Sequence, residues 1–124
     1  MARITGLGGI FYKVPDPDAT RAWYKDNLGI GGDWGAMFPF KNDQPESYSL
    51  LTPFKSDSDY FGPSTLPFMI NLRVDNLDEM ISALEGKGIT VLGRQDEDYG
   101  SFAWILDCDG TKIELWQQRG PAPE

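Results

Sequence analysis

Any chemistry in this chain has to be built without imidazole. Its 124 residues contain no histidine and one cysteine, Cys108. A serine or cysteine nucleophile paired with an imidazole base is therefore excluded. So are zinc sites built on three histidines, or on two plus a carboxylate, and the two-histidine facial triad of iron. Carboxylates alone would hold a hard divalent ion only feebly. Cys108 stands between Asp107 and Asp109, whose charges oppose a thiolate, so no reactive role is expected of it. Two motifs resemble ligand loops and fail on spacing. Residues 6–9 (GLGG) precede a strand-like run and lack the further glycine that opens a helix in a dinucleotide loop. Residues 107–110 (DCDG) begin like a calcium loop, but the glycine comes too early and an aspartate is missing, so they read as a hairpin turn.

Charge narrows the partners. Eleven Lys and Arg against 19 Asp and Glu give a net charge of −8, which repels phosphate backbones and anionic lipid surfaces. No nucleic-acid or membrane role is expected. No apolar run is long enough to span a bilayer, and the opening residues do not read as a signal peptide. A lone cysteine cannot form an internal disulfide, which fits a reducing compartment and a cytoplasmic location. With 40% apolar residues the chain can bury the core of one domain.

The elements that must position any site alternate between strands and helices. Residues 9–14 (GIFYKV) are β-prone and run into Pro15, after which Asp18 is placed to cap a helix over residues 19–28, with Ala19, Ala22 and Trp23 on one face and Gly29 ending it. Extended pieces follow at residues 34–41 and 47–53. Residues 55–66 (KSDSDYFGPSTL) read as a polar connecting loop, and Tyr60 and Phe61 within it are candidates for a docking surface. A strand from residue 67 to about 74 leads through Asp75 and Asn76 into a second helix. Its Leu77, Met80, Ile81 and Leu84 recur at helical spacing. Three further strands are expected at residues 89–92, 100–106 and 112–116, with residues 96–98 (DED) as a solvated loop. The tail from Arg119 to Glu124 is expected to fray.

These halves are one pattern written twice. Val14 and Asp18 match Val74 and Asp78 at a spacing of 60, Gly29-Ile30 match Gly88-Ile89 at 59, and Gly35 and Leu50 match Gly100 and Leu115 at 65. Each half is strand, helix, strand, strand, strand. A sheet with a helix on one face leaves the other bare, and pairing two such modules covers it.

Residues 8–30 (GGIFYKVPDPDATRAWYKDNLGI) and 99–117 (YGSFAWILDCDGTKIELWQ) resemble the glyoxalase / bleomycin-resistance / extradiol-dioxygenase group, the vicinal oxygen chelate proteins. The specific parts are the helix ending in W-Y-x-x-x-L-G and the D-x-D-G-x-x-x-E-L hairpin. The resemblance implies an α+β fold of two βαβββ modules in one chain, forming a curved sheet cup with helices outside. Module 1 would span about residues 4–54, a linker residues 55–66 and module 2 about residues 67–118. It also implies a homodimer and a ligand cavity in the cup.

Enzymes of that group bind a divalent metal through residues on the first and last strands of each module. Carried over by position, those places fall on Gly9, Ser49 (or Leu50), Met69 and Glu114. Only Glu114 is a good ligand, so no metal and no cofactor are expected. By strand alternation from Gly9 and Met69, Phe11 and Lys13 face the cup together with Asn71 and Arg73. Lys13 and Arg73 are positioned to meet an anionic or carbonyl-bearing ligand, or else pair at the rim with acids such as Glu114. Glu114 is the one candidate catalytic group, as a general base. The alternative is an inert carboxylate salt-bridged to Lys13 or Arg73. Trp116 should face the same way and offer a stacking surface, with Phe11 as further cavity lining.

Three functions fit. The first is metal-independent binding of a small organic molecule, in the manner of bleomycin-resistance proteins. The second is a divergent glyoxalase-type lyase or isomerase, or a dioxygenase-related enzyme, using Glu114. The third is an interaction module whose cup is filled by its own side chains.

Overall fold

The structure is a computed structural model that describes residues 1–123. Two helices lie against one open, mixed sheet of four strands. The elements are α1 (Pro17–Leu28), β1 (Met69–Arg73), α2 (Leu77–Gly86), β2 (Gly93–Glu97), β3 (Gly100–Leu106) and β4 (Lys112–Gln118). Their order across the sheet is β1-β4-β3-β2, with β1 parallel to β4 and the other pairs antiparallel. This is the α+β arrangement with helices outside a sheet that does not close into a barrel.

Residues 69–118 form the complete second module. The parallel β1–β4 pair requires a crossover, and α2 supplies part of it. Asn76 starts α2 by accepting from the Glu79 N–H at 3.1 Å, and Asp78 and Glu79 add negative charge where the helix dipole is positive. Leu77 and Leu84 are buried, and Met80 and Ile81 pack around them against Ala103, Ile105, Ile113 and Leu115. Burying such side chains contributes about 1.5–3 kcal/mol each, which anchors the helical face of the sheet.

The first module differs from expectation. α1 forms, but residues 9–14, 34–41 and 47–53 make no sheet ladder, and residues 40–42 are instead a short 3-10 turn. Within 34–41, Pro39 cannot donate to a ladder and Gly35 takes a φ of 137°, which breaks the extended run. These segments run beside the second module. Tyr12, for example, holds its ring 5.7 Å from that of Phe68.

Smaller corrections follow the same logic. Asp16, not Asp18, caps α1, accepting from Asp18 N–H at 3.1 Å and Ala19 N–H at 3.3 Å. Pro17 can stand at the first helical position because its missing N–H would have no helical partner there. The inward face of α1 is Thr20, Trp23, Tyr24 and Leu28, while Ala19 and Ala22 are exposed. Polar contacts to the β3–β4 turn fix this face. Thr20 Oγ1 donates to Asp109 and the Tyr24 hydroxyl to Asp107, both at 2.5 Å. The second strand of the module lies at Gly93–Glu97 rather than residues 89–92, so Asp96 and Glu97 belong to a strand. Ile89 and Val91 pack on the core from an extended connection, and the charged residues blunt the sheet edge. Arg119 does not fray, since its N–H donates to Tyr99 O at 3.0 Å; Glu124, the end of that expected tail, lies outside the described residues.

Candidate functional site

The register of the sheet stacks side chains in rows on the face away from the helices. Asn71, Glu114 and Trp104 are direct neighbours across β1, β4 and β3, and Arg73, Trp116 and Phe102 form the next row. Period-two alternation puts both rows on one face. A cavity of about 990 Å³ opens over it. Its walls are residues 49–54 of the first half, the 55–66 loop, and Met69, Asn71, Arg73, Glu114 and Trp116.

Glu114 is buried and sits among donors. Asn71 Nδ2 donates to its Oε1 at 2.7 Å, and Trp104 Nε1 donates to its Oε2 at 2.9 Å. The Tyr60 hydroxyl donates to Oε2 as well. Burial and the neighbouring Glu114 carboxylate push the Tyr60 phenol well above its ordinary value, so it remains a protonated donor at neutral pH. Tyr60 stacks on Phe54 at 5.5 Å and meets Trp104 edge-on at 6.2 Å. Lys112 Nζ donates to the Tyr60 carbonyl at 2.6 Å and lies 5.1 Å from the Tyr60 ring centre and 5.6 Å from that of Trp104. Desolvation lowers the Lys112 pKa, and the charges of Glu114 and Asp59 oppose that fall. Tyr60, although 38% exposed, therefore aims its hydroxyl at Glu114 from the connecting loop.

The structure separates the two expected cationic residues. Arg73 donates through Nε to Asp43 at 3.1 and 3.3 Å, through Nη2 to Asp43 again, and through Nη1 to the Tyr48 carbonyl. The guanidinium holds the Asp43 carboxyl below its usual range. Arg73 thus ties the first half to β1, and its counter-ion is Asp43 rather than Glu114. Lys13 is exposed and outside the cavity wall, and Phe11, 99% exposed, is outside it too; Leu7 and Ile10 line it instead. The alternation argument misplaced them because residues 9–14 are not a strand. Asn71 and Trp116 do line the cavity. Trp116 is wedged between Phe102, parallel at 6.0 Å, and Tyr48, edge-on at 5.2 Å.

Of the positions that would hold a metal, Ser49, Met69 and Glu114 line the cavity and Gly9 does not. Glu114 is ringed by an amide, an indole N–H and a phenol, each acting as a donor toward it. No cluster of three His, Cys, Asp or Glu occurs among the described residues. This donor set does not fit a divalent metal, which needs several converging acceptors.

Sequence reasoning missed Tyr60, Phe54, Lys112 and Asp43. A signal existed for Lys112, since it is two residues before Glu114 on the same strand face. Tyr60, Phe54 and Asp43 lie in irregular segments, where no periodicity tells a side chain's direction.

No protein-family model and no curated protein matches the chain. Solved structures do. TnmS3, an antibiotic-binding protein from Streptomyces sp. CB03234, is similar with a TM-score of 0.62 and 23% identity, covering 96% of this chain and 100% of its own. A glyoxalase/bleomycin resistance protein/dioxygenase superfamily member from Sphaerobacter thermophilus DSM 20745 gives 0.53 and 18%, covering 85% and 90% respectively. A glyoxalase/bleomycin resistance protein from Streptomyces sp. CB03234 gives 0.53 and 22%, covering 84% and 93%. The chain thus has the fold shared by these glyoxalase/bleomycin-resistance/dioxygenase structures.

Proposed function

We propose that the chain binds a small planar organic molecule in the cavity over β1 and β4 without a metal, as a sequestering protein of the bleomycin-resistance kind. The observation that carries this reading is the cavity itself. It has aromatic residues in its walls and a buried acceptor, Glu114, whose partners are donors rather than fellow metal ligands. A concave site that combines aromatic walls with polar groups able to orient a guest is suited to a small organic ligand. The similarity to TnmS3, an antibiotic-binding protein, supports the same class of activity. Glu114 is poorly arranged for general-base chemistry, because three donors already occupy it.

The working form is a homodimer in the cytoplasm. Support comes from the apolar residues that the first half leaves open, including Phe11, Trp34, Met37 and Phe38. No helix among the described residues is long and apolar enough to cross a membrane. The test titrates the purified protein with neutral, cationic and anionic polycyclic aromatics while following tryptophan fluorescence. Saturable quenching that survives a chelator and shrinks in Trp116→Phe is expected. Absence of saturable quenching across the panel, or binding that vanishes with the chelator, overturns the reading.

A further inference from the structure

Resting on the reading of the cavity as a ligand site, we propose that its ligand is a planar aromatic bearing a neutral hydroxyl donor, which replaces Tyr60 on Glu114. Tyr60 is already such a group, supplied by the chain. Its ring fills a slot with Phe54 stacked on it, Trp104 edge-on and the Lys112 ammonium nearby, and its hydroxyl ends on Glu114 Oε2. Everything that holds this phenol would hold another of similar shape.

The donors on Glu114 are not equally fixed. Asn71 and Trp104 stand on paired strands, and their bonds persist as long as the sheet does. Tyr60 stands on the 55–66 loop, which has no ladder of its own. When the loop lifts, one acceptor site on a buried carboxylate opens toward the cavity. Leaving it empty is unfavourable, and a ligand hydroxyl satisfies it. Charge selects the donor. A cationic ligand would lie beside Lys112, and an anionic one would meet Glu114. A neutral hydroxyl meets neither penalty.

The experiment compares 2-naphthol, its methyl ether 2-methoxynaphthalene, and 2-naphthylmethylammonium on the full chain by calorimetry. The naphthol should bind about tenfold more tightly than the ether, the difference expected of one hydrogen bond to a charged acceptor. In Tyr60→Ala the naphthol should gain severalfold in affinity because its intramolecular competitor is gone. Tyr60→Phe, which keeps the ring and frees the acceptor, should gain less. In Glu114→Gln the preference for naphthol over ether should shrink severalfold. Saturable binding with naphthol and ether equal, or with the ammonium tightest, overturns the hydroxyl proposal and leaves the cavity reading standing. Failure of all three probes to bind overturns both. The two Tyr60 variants carry the test if Glu114→Gln does not fold.

Discussion

In the second half Leu84, Ile105, Ile113 and Leu115 are closed off from water, whereas in the first half Trp34, Met37, Phe38 and Phe40 stand open to it. Both halves carry β-prone apolar runs and one capped helix, so hydrophobicity does not separate them. What separates them is whether the backbone can pair. β3 and β4 are joined by a short turn and each offers an uninterrupted run of N–H and C=O groups. In the first half Pro39 and Gly35, the latter with a positive φ, fall inside the 34–41 run. Without a ladder, alternation has no face to assign, and the apolar side chains stay outside.

The largest expected effect tests that contrast directly. Leu84→Ala should cost about 2–5 kcal/mol, since it opens a cavity in the core between α2 and the sheet. Phe38→Ala should change stability by no more than about 0.5 kcal/mol in protein dilute enough to be monomeric. Urea unfolding followed by circular dichroism measures both. Equal losses would erase the distinction between the halves.

How much was legible in the sequence follows the same division. The periodic spacing of Leu77, Met80, Ile81 and Leu84 located α2, and alternation from Met69 correctly placed Asn71 and Arg73 on the cavity side. Both inferences depend on regular backbone, which those residues have. Phe11 and Lys13 were assigned by the same rule to a segment without that regularity, and the assignment failed. Glu114 was legible through resemblance and alternation, as was its partner Asn71, yet its partner Tyr60 was not. Tyr60 reaches it across 54 positions of sequence from an irregular loop, and no local pattern encodes such a contact. Asp43 pairs with Arg73 across 30 positions for the same reason.

A sharper version of the comparison lies within the sheet, where two glycines each lie beside a tryptophan side chain. At Gly100 an added Cβ would fall 2.8 Å from both Gln117 O and Trp116 Cδ1, and still closer to Trp116 Nε1. At Gly93 it would sit 3.7 Å from Trp104, an ordinary contact. Gly100→Ala should therefore cost about 1–3 kcal/mol and shift Trp116 fluorescence, as overpacking against backbone does. Gly93→Ala should leave stability within about 0.5 kcal/mol. If the two variants unfold at the same urea concentration, Trp116 is not locked against β3.

The smallest effect concerns the join between the halves. Arg73 reaches from β1 to Asp43 and to the Tyr48 carbonyl, and Tyr48 in turn packs on Trp116. Asp43→Asn should cost about 1 kcal/mol, the scale of a partly exposed charged contact. Its pH dependence identifies the contact. The guanidinium depresses the folded-state pKa of Asp43 below 3.8, so the unfolded chain takes up the proton first as pH falls. The contribution is complete above that value and disappears as pH drops through the lower folded-state value. Unfolding curves between pH 3 and 6 should then show the native protein and Asp43→Asn parallel near pH 6 and converging at the acid end. Convergence should be accompanied by a change in Trp116 fluorescence in the native protein as Tyr48 loosens. Curves that keep their separation at low pH would mean that the asparagine disturbs something other than the ion pair, and that the first half is held to the sheet by other contacts.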